Sequence, residues 1–154
     1  LILAAKDAKG AKKSNSIIIK TKEGFMSNGK RLSEQVIGCA QDVSRELGAG
    51  FLEAVYENAL ALELEEKSIL FERQHQFDVY YKGHLIGQYK ADLVVEGKLI
   101  IELKAVPAFN DRHKAQVLNY LRATGLNVGL LLNFGMPRLG IQRIVWNYNE
   151  TNNI

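Results

Sequence analysis

One cysteine, Cys39, is all the chain contains, so no internal disulfide can brace it. In an apolar helical setting that thiol reads as a small core residue rather than a nucleophile. Histidine is scarce as well: His75, His84 and His113 lack the short spacing of metal ligands, which argues against a zinc site. No apolar run approaches the ~20 residues that a spanning helix needs. The N-terminus lacks the apolar block and cleavage pattern of a secretory signal. Membrane and disordered classes are therefore set aside, and a cytoplasmic location is the default expectation.

What is present fits one globular domain. The 154 residues are 47% apolar and 24% charged, enough to bury a sizeable core. The net charge of +3 is unevenly spread. Residues 1–31 hold eight basic side chains against Asp7 and Glu23, a local +6, so the remainder carries −3. A polyanion would have to be bound through local patches or a bound cation rather than through bulk charge. Residues 1–30, biased to Lys, Ala, Gly and Ser with one β-prone triplet at Ile17–Ile19, read as a basic tail or leader. With Leu1 in first place and Met26 just before a helix start, residues 1–25 are expected to be dispensable, an arm for a partner being the alternative.

From Ser33, a candidate cap, the period is helical: Val36, Ile37, Ala40, Val43 and Leu47 recur at spacings of three and four, and "GAG" at 48–50 ends the run. A second helix is expected over about Phe51–Lys67, with Leu52, Val55, Tyr56, Ala59, Leu60 and Leu64 on one apolar face. "FDVYYKGHLIGQY" then alternates around Lys82-Gly83 as a hairpin, and Leu93–Val95 and Leu99–Leu103 pair around Glu96-Gly97. "NDRHKAQVLNYLRATG" returns to helical spacing with Gly125 as its stop. "NVGLLLNF" reads as a strand buried on both faces, and Ile141–Trp146 as a last strand. The order ααβββαββ describes an α/β (α+β) domain over residues 31–148, a mixed β-sheet flanked by helices, with 149–154 as a C-terminal tail.

Three charges interrupt the apolar stretch "ADLVVEGKLIIELKAV". Glu102 and Lys104 are two apart on a strand and so share a face, and Asp92 lies on the preceding strand. Two carboxylates near one point suit Mg²⁺ or Mn²⁺, and the ion would offset the cost of burying them. A lysine beside it could orient or deprotonate a water and stabilise charge on a phosphate, as phosphodiester hydrolysis requires. Taken alone, the trio reads equally well as a surface Glu–Lys pair and a turn-proximal Asp. A plain two-residue turn at Glu96-Gly97 would oppose Asp92 to Ile101 and send Asp92 and Glu102 to opposite faces. A shared ion therefore requires an odd-length loop, a bulge or a strand distortion at Asp92.

Asp92 followed after nine residues by "ELK" resembles the Asp…Glu-x-Lys signature of the PD-(D/E)XK nuclease superfamily. "GAGFLEAVYENAL" resembles the Gly-x-x-Glu-x-x-Tyr motif of the GxxExxY protein family, with Gly50, Glu53 and Tyr56 in its named places. "HKAQVLNYLRATG" and "GLLLNFG" are similar to that family's later blocks, so the likeness runs from about Leu32 to Val145. It implies a restriction-endonuclease-like core and a nuclease that hydrolyses DNA, or in second place RNA, through metal-activated water. It further implies Asp92 and Glu102 as metal ligands, Lys104 as the catalytic lysine, Glu53 as a helix carboxylate reaching the metal, and Gln116 as a polar group facing the site. Ser44 stands where a His is expected. Tyr56 is expected to pack or to hydrogen-bond a carboxylate, and His113 to approach phosphate or lie half-exposed. Lys90, Lys98, Arg112, Lys114 and Arg122 are candidates for a groove rim, dispersed surface charge being the plainer alternative. A homodimer or a larger protein partner would help so small a domain hold a duplex. The alternative function is a non-catalytic binding or assembly module on the same fold.

Overall fold

The computed structural model describes residues 2–4, 17–19 and 32–147. By its contacts the chain divides into Leu1–Lys30 and Arg31–Ile154. In the first unit, β1 (Ile2–Ala4) pairs antiparallel with β2 (Ile17–Ile19). The remainder of the expected basic tail, and the C-terminal tail at 149–154, lie outside the described residues.

The second unit follows the expected order: α1 (Leu32–Leu47), α2 (Glu53–Glu66), β3 (Phe71–Tyr81), β4 (His84–Val95), β5 (Leu99–Lys104), α3 (Asp111–Thr124), β6 (Val128–Asn133) and β7 (Gly140–Val145). The five strands form one sheet in the order β3-β4-β5-β6-β7. Every neighbouring pair is antiparallel except β5 and β6, which α3 joins as a crossover. It is an α+β mixed sheet with helices on both faces.

Strand alternation divides the apolar residues between those faces. Leu93, Val95, Leu99, Ile101, Leu103, Val128, Leu130 and Leu132 face α1 and α2, where Val36, Cys39, Ala40, Val43, Tyr56, Leu60 and Leu64 cover them. Val94, Ile100 and Leu131 face Val117, Tyr120 and Leu121 of α3. Every residue of β6 is buried, as its unbroken apolar run requires. Among the described residues no helix is long and apolar enough to cross a membrane.

Two expectations are corrected. Leu52 and Val55 do not join the buried face of α2: they are 79% and 38% exposed. The helix starts only at Glu53, and its buried stripe runs through Tyr56, Glu57, Leu60, Ala61 and Leu64, on the side turned away from both. Nor does Ser33 precede the first helix. It lies within the first turn of α1, where Arg143 of β7 donates to its hydroxyl at 3.4 Å.

The sheet carries irregularities where one was required. The β4–β5 loop spans Glu96–Lys98, setting Leu93 opposite Ile101 and Val95 opposite Leu99. That odd-length loop puts Asp92 and Glu102 in matching register. The second irregularity is a strand distortion. Gln74 sits at φ 49° opposite Asp92, and Ala91 and Leu93, two apart, fall in opposite core clusters. Beyond this point β3 and β4 pair only with each other, extending from the sheet as a two-stranded arm that closes at Lys82-Gly83.

Past β6 the chain turns tightly against the segment that follows β5. Asn133 is fully buried; its Oδ1 accepts from Val106 N and Gly135 N, both at 3.0 Å, and its Nδ2 donates to Val106 O at 2.8 Å. A Cβ on Gly135 would lie 2.4 Å from Val106 N and 2.5 Å from Val106 O, so backbone would have to move. Gly135→Ala is expected to cost about 2 kcal/mol by overpacking. Urea denaturation checks this: a midpoint equal to wild type would contradict the close approach.

Candidate active site

The ladder between β4 and β5 ends at Leu93 and Ile101, and a side chain takes over its next position. Asp92 Oδ2 accepts the Leu103 N–H at 2.8 Å, a bond that fixes the carboxylate at the point where the strands part. Glu102 and Lys104 project from the α3 side of β5, and Lys104 Nζ donates to Glu102 Oε1 at 2.8 Å. The expected trio is thus brought close together, Asp92 bonded to the β5 backbone between Glu102 and Lys104, and the surface-pair alternative fails on burial: Glu102 is only 4% exposed.

The electrostatics of the trio are those of carboxylates short of positive charge. Burial, with the nearby Asp92 charge added, raises the pKa of Glu102 to about 7 despite Lys104. Burial also raises Asp92, opposed by its bond from Leu103 and reinforced by the charge of Glu57. Burial alone would lower Lys104, but its bond to Glu102 and the charges of Glu102, Glu53 and Asp92 outweigh that and raise it. Its amine is therefore an ammonium at neutral pH. Glu102 Oε2 is buried and has no hydrogen-bond partner among the described residues. Such an orphaned lone pair is costly unless an ion or a water completes it.

A second layer holds Asp92. Gln74 Nε2 donates to Glu57 Oε2 at 2.8 Å and approaches Asp92 Oδ1 at 3.4 Å, while Arg73 Nε donates to Glu57 Oε1 at 2.9 Å. Sequence reasoning passed over Glu57, Arg73 and Gln74. A glutamate among the buried positions of α2 is the signal that could have drawn attention to them, since a buried acid needs partners.

Glu53 opens α2 at the edge of the site. It is exposed, yet the surrounding protein withdraws enough water to raise its carboxyl pKa, with Lys104 opposing, Asp92 adding and His113 opposing. Among the described residues no three His, Cys, Asp or Glu side chains gather as a metal cage. In this side-chain arrangement Glu53, Asp92 and Glu102 are not gathered at one point. Gly50, at φ 118°, shapes the loop before the helix, and Tyr56 pins it: its hydroxyl donates to Gly48 O at 2.7 Å and accepts from Phe51 N at 3.1 Å. The Tyr56 ring stacks on Phe134 at 4.6 Å, so this residue packs and does not bond a carboxylate.

On α3, Gln116 donates to the Tyr120 hydroxyl at 2.6 Å, one residue removed from the trio that it was expected to face. The charges of Glu102, Lys104 and Asp92 are felt at that hydroxyl, whose pKa burial raises. His113 Nδ1 accepts from Asn110 N in the capping box that starts the helix. Of the candidate rim, Arg112 and Arg122 line a groove beside α3, Lys114 approaches Asp111 at 3.9 Å, Lys90 is exposed on β4, and Lys98 lies at the far end of β5.

Asp92 and Glu102 fit a divalent cation. Mg²⁺ commonly takes one or two carboxylates and keeps several waters, so a pair without a third protein ligand suffices. The orphaned Oε2 of Glu102 is a ready-made oxygen donor.

A sequence model for the PD-(D/E)XK nuclease superfamily matches residues 30–144. No match is found among curated proteins. Among solved structures, the crystal structure of SSO0001 is similar at a TM-score of 0.50 and 19% identity, over 64% of this chain and 52% of that one. The chain thus spans about half the length of SSO0001, and at this identity the likeness is one of fold. An alkaline exonuclease (LHK-Exo) from Laribacter hongkongensis is similar at a TM-score of 0.39 and 15% identity, over 77% of this chain and 72% of its own, too distant for inference.

Proposed function

The chain belongs to the PD-(D/E)XK nuclease superfamily, and on that premise we propose that it hydrolyses phosphodiester bonds of DNA, in preference to RNA, with Mg²⁺ or Mn²⁺ held by Asp92 and Glu102. The observation that carries this reading is the Oε2 of Glu102, buried and without a partner among the described residues, near Asp92 and Lys104. Evolutionary kinship supplies the class of reaction, and this atom supplies the reason for an ion.

When bound, the cation acidifies water and neutralises charge on the phosphate. The chain's own residues do the rest. Asp92, fixed by the Leu103 N–H, and Glu102 present oxygens from adjacent strands. Lys104 is held as an ammonium against Glu102, so its part is to orient a water and stabilise charge growing on the phosphate rather than to remove a proton. Glu53, at the edge of the site, would offer a further carboxylate toward the ion. DNA is preferred because it lacks the 2′-hydroxyl with which RNA can attack its own phosphate; its cleavage therefore calls for an activated external water.

The test incubates the protein with labelled single-stranded and duplex DNA and RNA, with Mg²⁺ or Mn²⁺ and again with EDTA. The expected result is DNA cleavage that requires the divalent ion. Cleavage that persists in EDTA would refute the metal role. Binding without cleavage under either ion would select a non-catalytic nuclease-fold module.

A further inference from the structure

Between the β3–β4 arm and α3 lies a groove of about 740 Å³, a volume in the range that holds a ligand of nucleotide size. Its wall on the arm is aromatic. Phe77 and Tyr89, directly paired across the strands, stack at 6.3 Å, and Tyr80 stands further out on the same arm. Tyr120 of α3 closes the cluster, meeting Phe77 edge-on at 5.0 Å and Tyr89 at 6.1 Å.

The buried and exposed members differ in what they can do. Tyr120 is 4% exposed and serves as floor, whereas Tyr80 and Tyr89 are 61% and 52% exposed. Two large rings left in water on a two-stranded arm contribute little to the core, so their placement needs another reason. The opposite wall is cationic and polar: Arg112 and Arg122 line it from α3, with Asn119 between them in sequence. Among the described residues the one acid of the lining, Asp78, is occupied within the arm, accepting from Gln88 Nε2 at 2.9 Å and from the Tyr80 hydroxyl at 3.4 Å. In a folded region of net negative charge, a groove that leaves two guanidinium groups beside exposed rings is complementary to a phosphate chain carrying bases.

We propose that this groove binds a single strand of nucleic acid, with unpaired bases stacking on Tyr80 and Tyr89 and phosphates contacting Arg112 and Arg122. The proposal rests on the nuclease reading of the adjacent trio for the identity of the ligand. Rings accept a base face only when the base is unstacked, which a duplex interior does not offer. The groove also adjoins the trio: Gln116 lines it and bonds Tyr120, and the hydroxyl of Tyr120 lies within the field of Asp92, Glu102 and Lys104. A strand lying there leads toward the carboxylates. The substrate so defined is a single strand or the frayed end of a duplex, rather than an intact double helix.

Fluorescence anisotropy of the full chain in EDTA tests binding apart from hydrolysis. The probes are a labelled oligothymidylate of about 12 nucleotides, within the span that comparable grooves engage, and a blunt duplex of the same length. Wild type is expected to bind the single strand at least about tenfold more tightly than the duplex. Tyr80→Ala with Tyr89→Ala should weaken single-strand binding by at least about 30-fold, and Tyr89→Phe should retain it. Arg112→Ala with Arg122→Ala, both on the exposed side of α3, should weaken binding and flatten its dependence on salt. Equal or tighter duplex binding, no single-strand binding, or unchanged affinity in the aromatic and arginine variants would overturn the proposal. Loss of cleavage in Asp92→Ala alongside unchanged binding in the groove variants would sink the groove and leave the nuclease standing. The converse pair of results would do the opposite.

Discussion

Lys104→Met lowers the single-turnover rate of DNA cleavage at saturating Mg²⁺ by about 10³-fold while leaving metal affinity intact, the loss expected when a charged group acting on the transition state is removed. Methionine preserves the length and apolar stem of the lysine and deletes only its charge and donors. Lys104 binds Glu102 Oε1 at 2.8 Å, and its pKa lies above the ordinary lysine value, so the lost group is an ammonium. Its removal also frees an oxygen of Glu102 for a cation, which is why binding of the ion is not expected to weaken. Asp92→Asn separates the two roles. It keeps the size of the side chain and an oxygen able to accept from Leu103, but removes a negative charge from the pair that would hold the ion. Its half-saturating Mg²⁺ concentration should rise by at least about tenfold. Metal titrations under single-turnover conditions decide between the roles: rates for both variants within a few-fold of wild type at all Mg²⁺ concentrations would dissolve the assignment.

The parts of this site that were legible in the sequence are those governed by local geometry. Glu102 and Lys104 share a face because strand side chains alternate, and nothing distant can change that parity. Whether Asp92 joins them depends on the length of one loop, and strand parity alone sets the requirement for an odd count or a distortion. Gln74 shows where such reasoning ends. Nothing in "FERQHQF" signals a glutamine at φ 49°, because the distortion answers to the divergence of neighbouring strands and to Glu57 and Asp92 across the fold. Leu52 and Val55 are exposed for simpler reasons: Leu52 precedes the helix, in a loop held by Tyr56, and Val55, in the first turn, lies on the side opposite the buried stripe. Asn133 was hidden in an apolar run, although a buried amide must find partners and here finds the backbone on either side of Val106. The groove was harder still. Phe77, Tyr80, Tyr89 and Tyr120 come from three elements, and only the crossover of α3 sets them side by side.

The pH dependence of stability offers a second large effect, because a site prepared for an ion is strained without one. In the metal-free protein Glu102 keeps its proton until about pH 7, whereas in the unfolded chain it releases it near the ordinary value of 4.5. Between these values the folded state binds more protons, so stability falls as pH rises through that window, and the whole loss is in place above it. The difference corresponds to about 3 kcal/mol. Glu102→Gln cannot ionise and should lack this loss, while its amide oxygen can still accept from Lys104. Metal-free wild type is therefore expected to lose about 2.5 kcal/mol more than the variant between pH 5 and pH 8. Mg²⁺ should close this gap at pH 8, stabilising wild type by about 2.7 kcal/mol at a hundredfold excess over its Kd and leaving the variant unchanged. Urea denaturation at the two pH values, with EDTA and with Mg²⁺, measures each quantity. Parallel pH profiles in EDTA would show that Glu102 is not held protonated by its surroundings, and an equal response to Mg²⁺ would remove it from the ion's coordination.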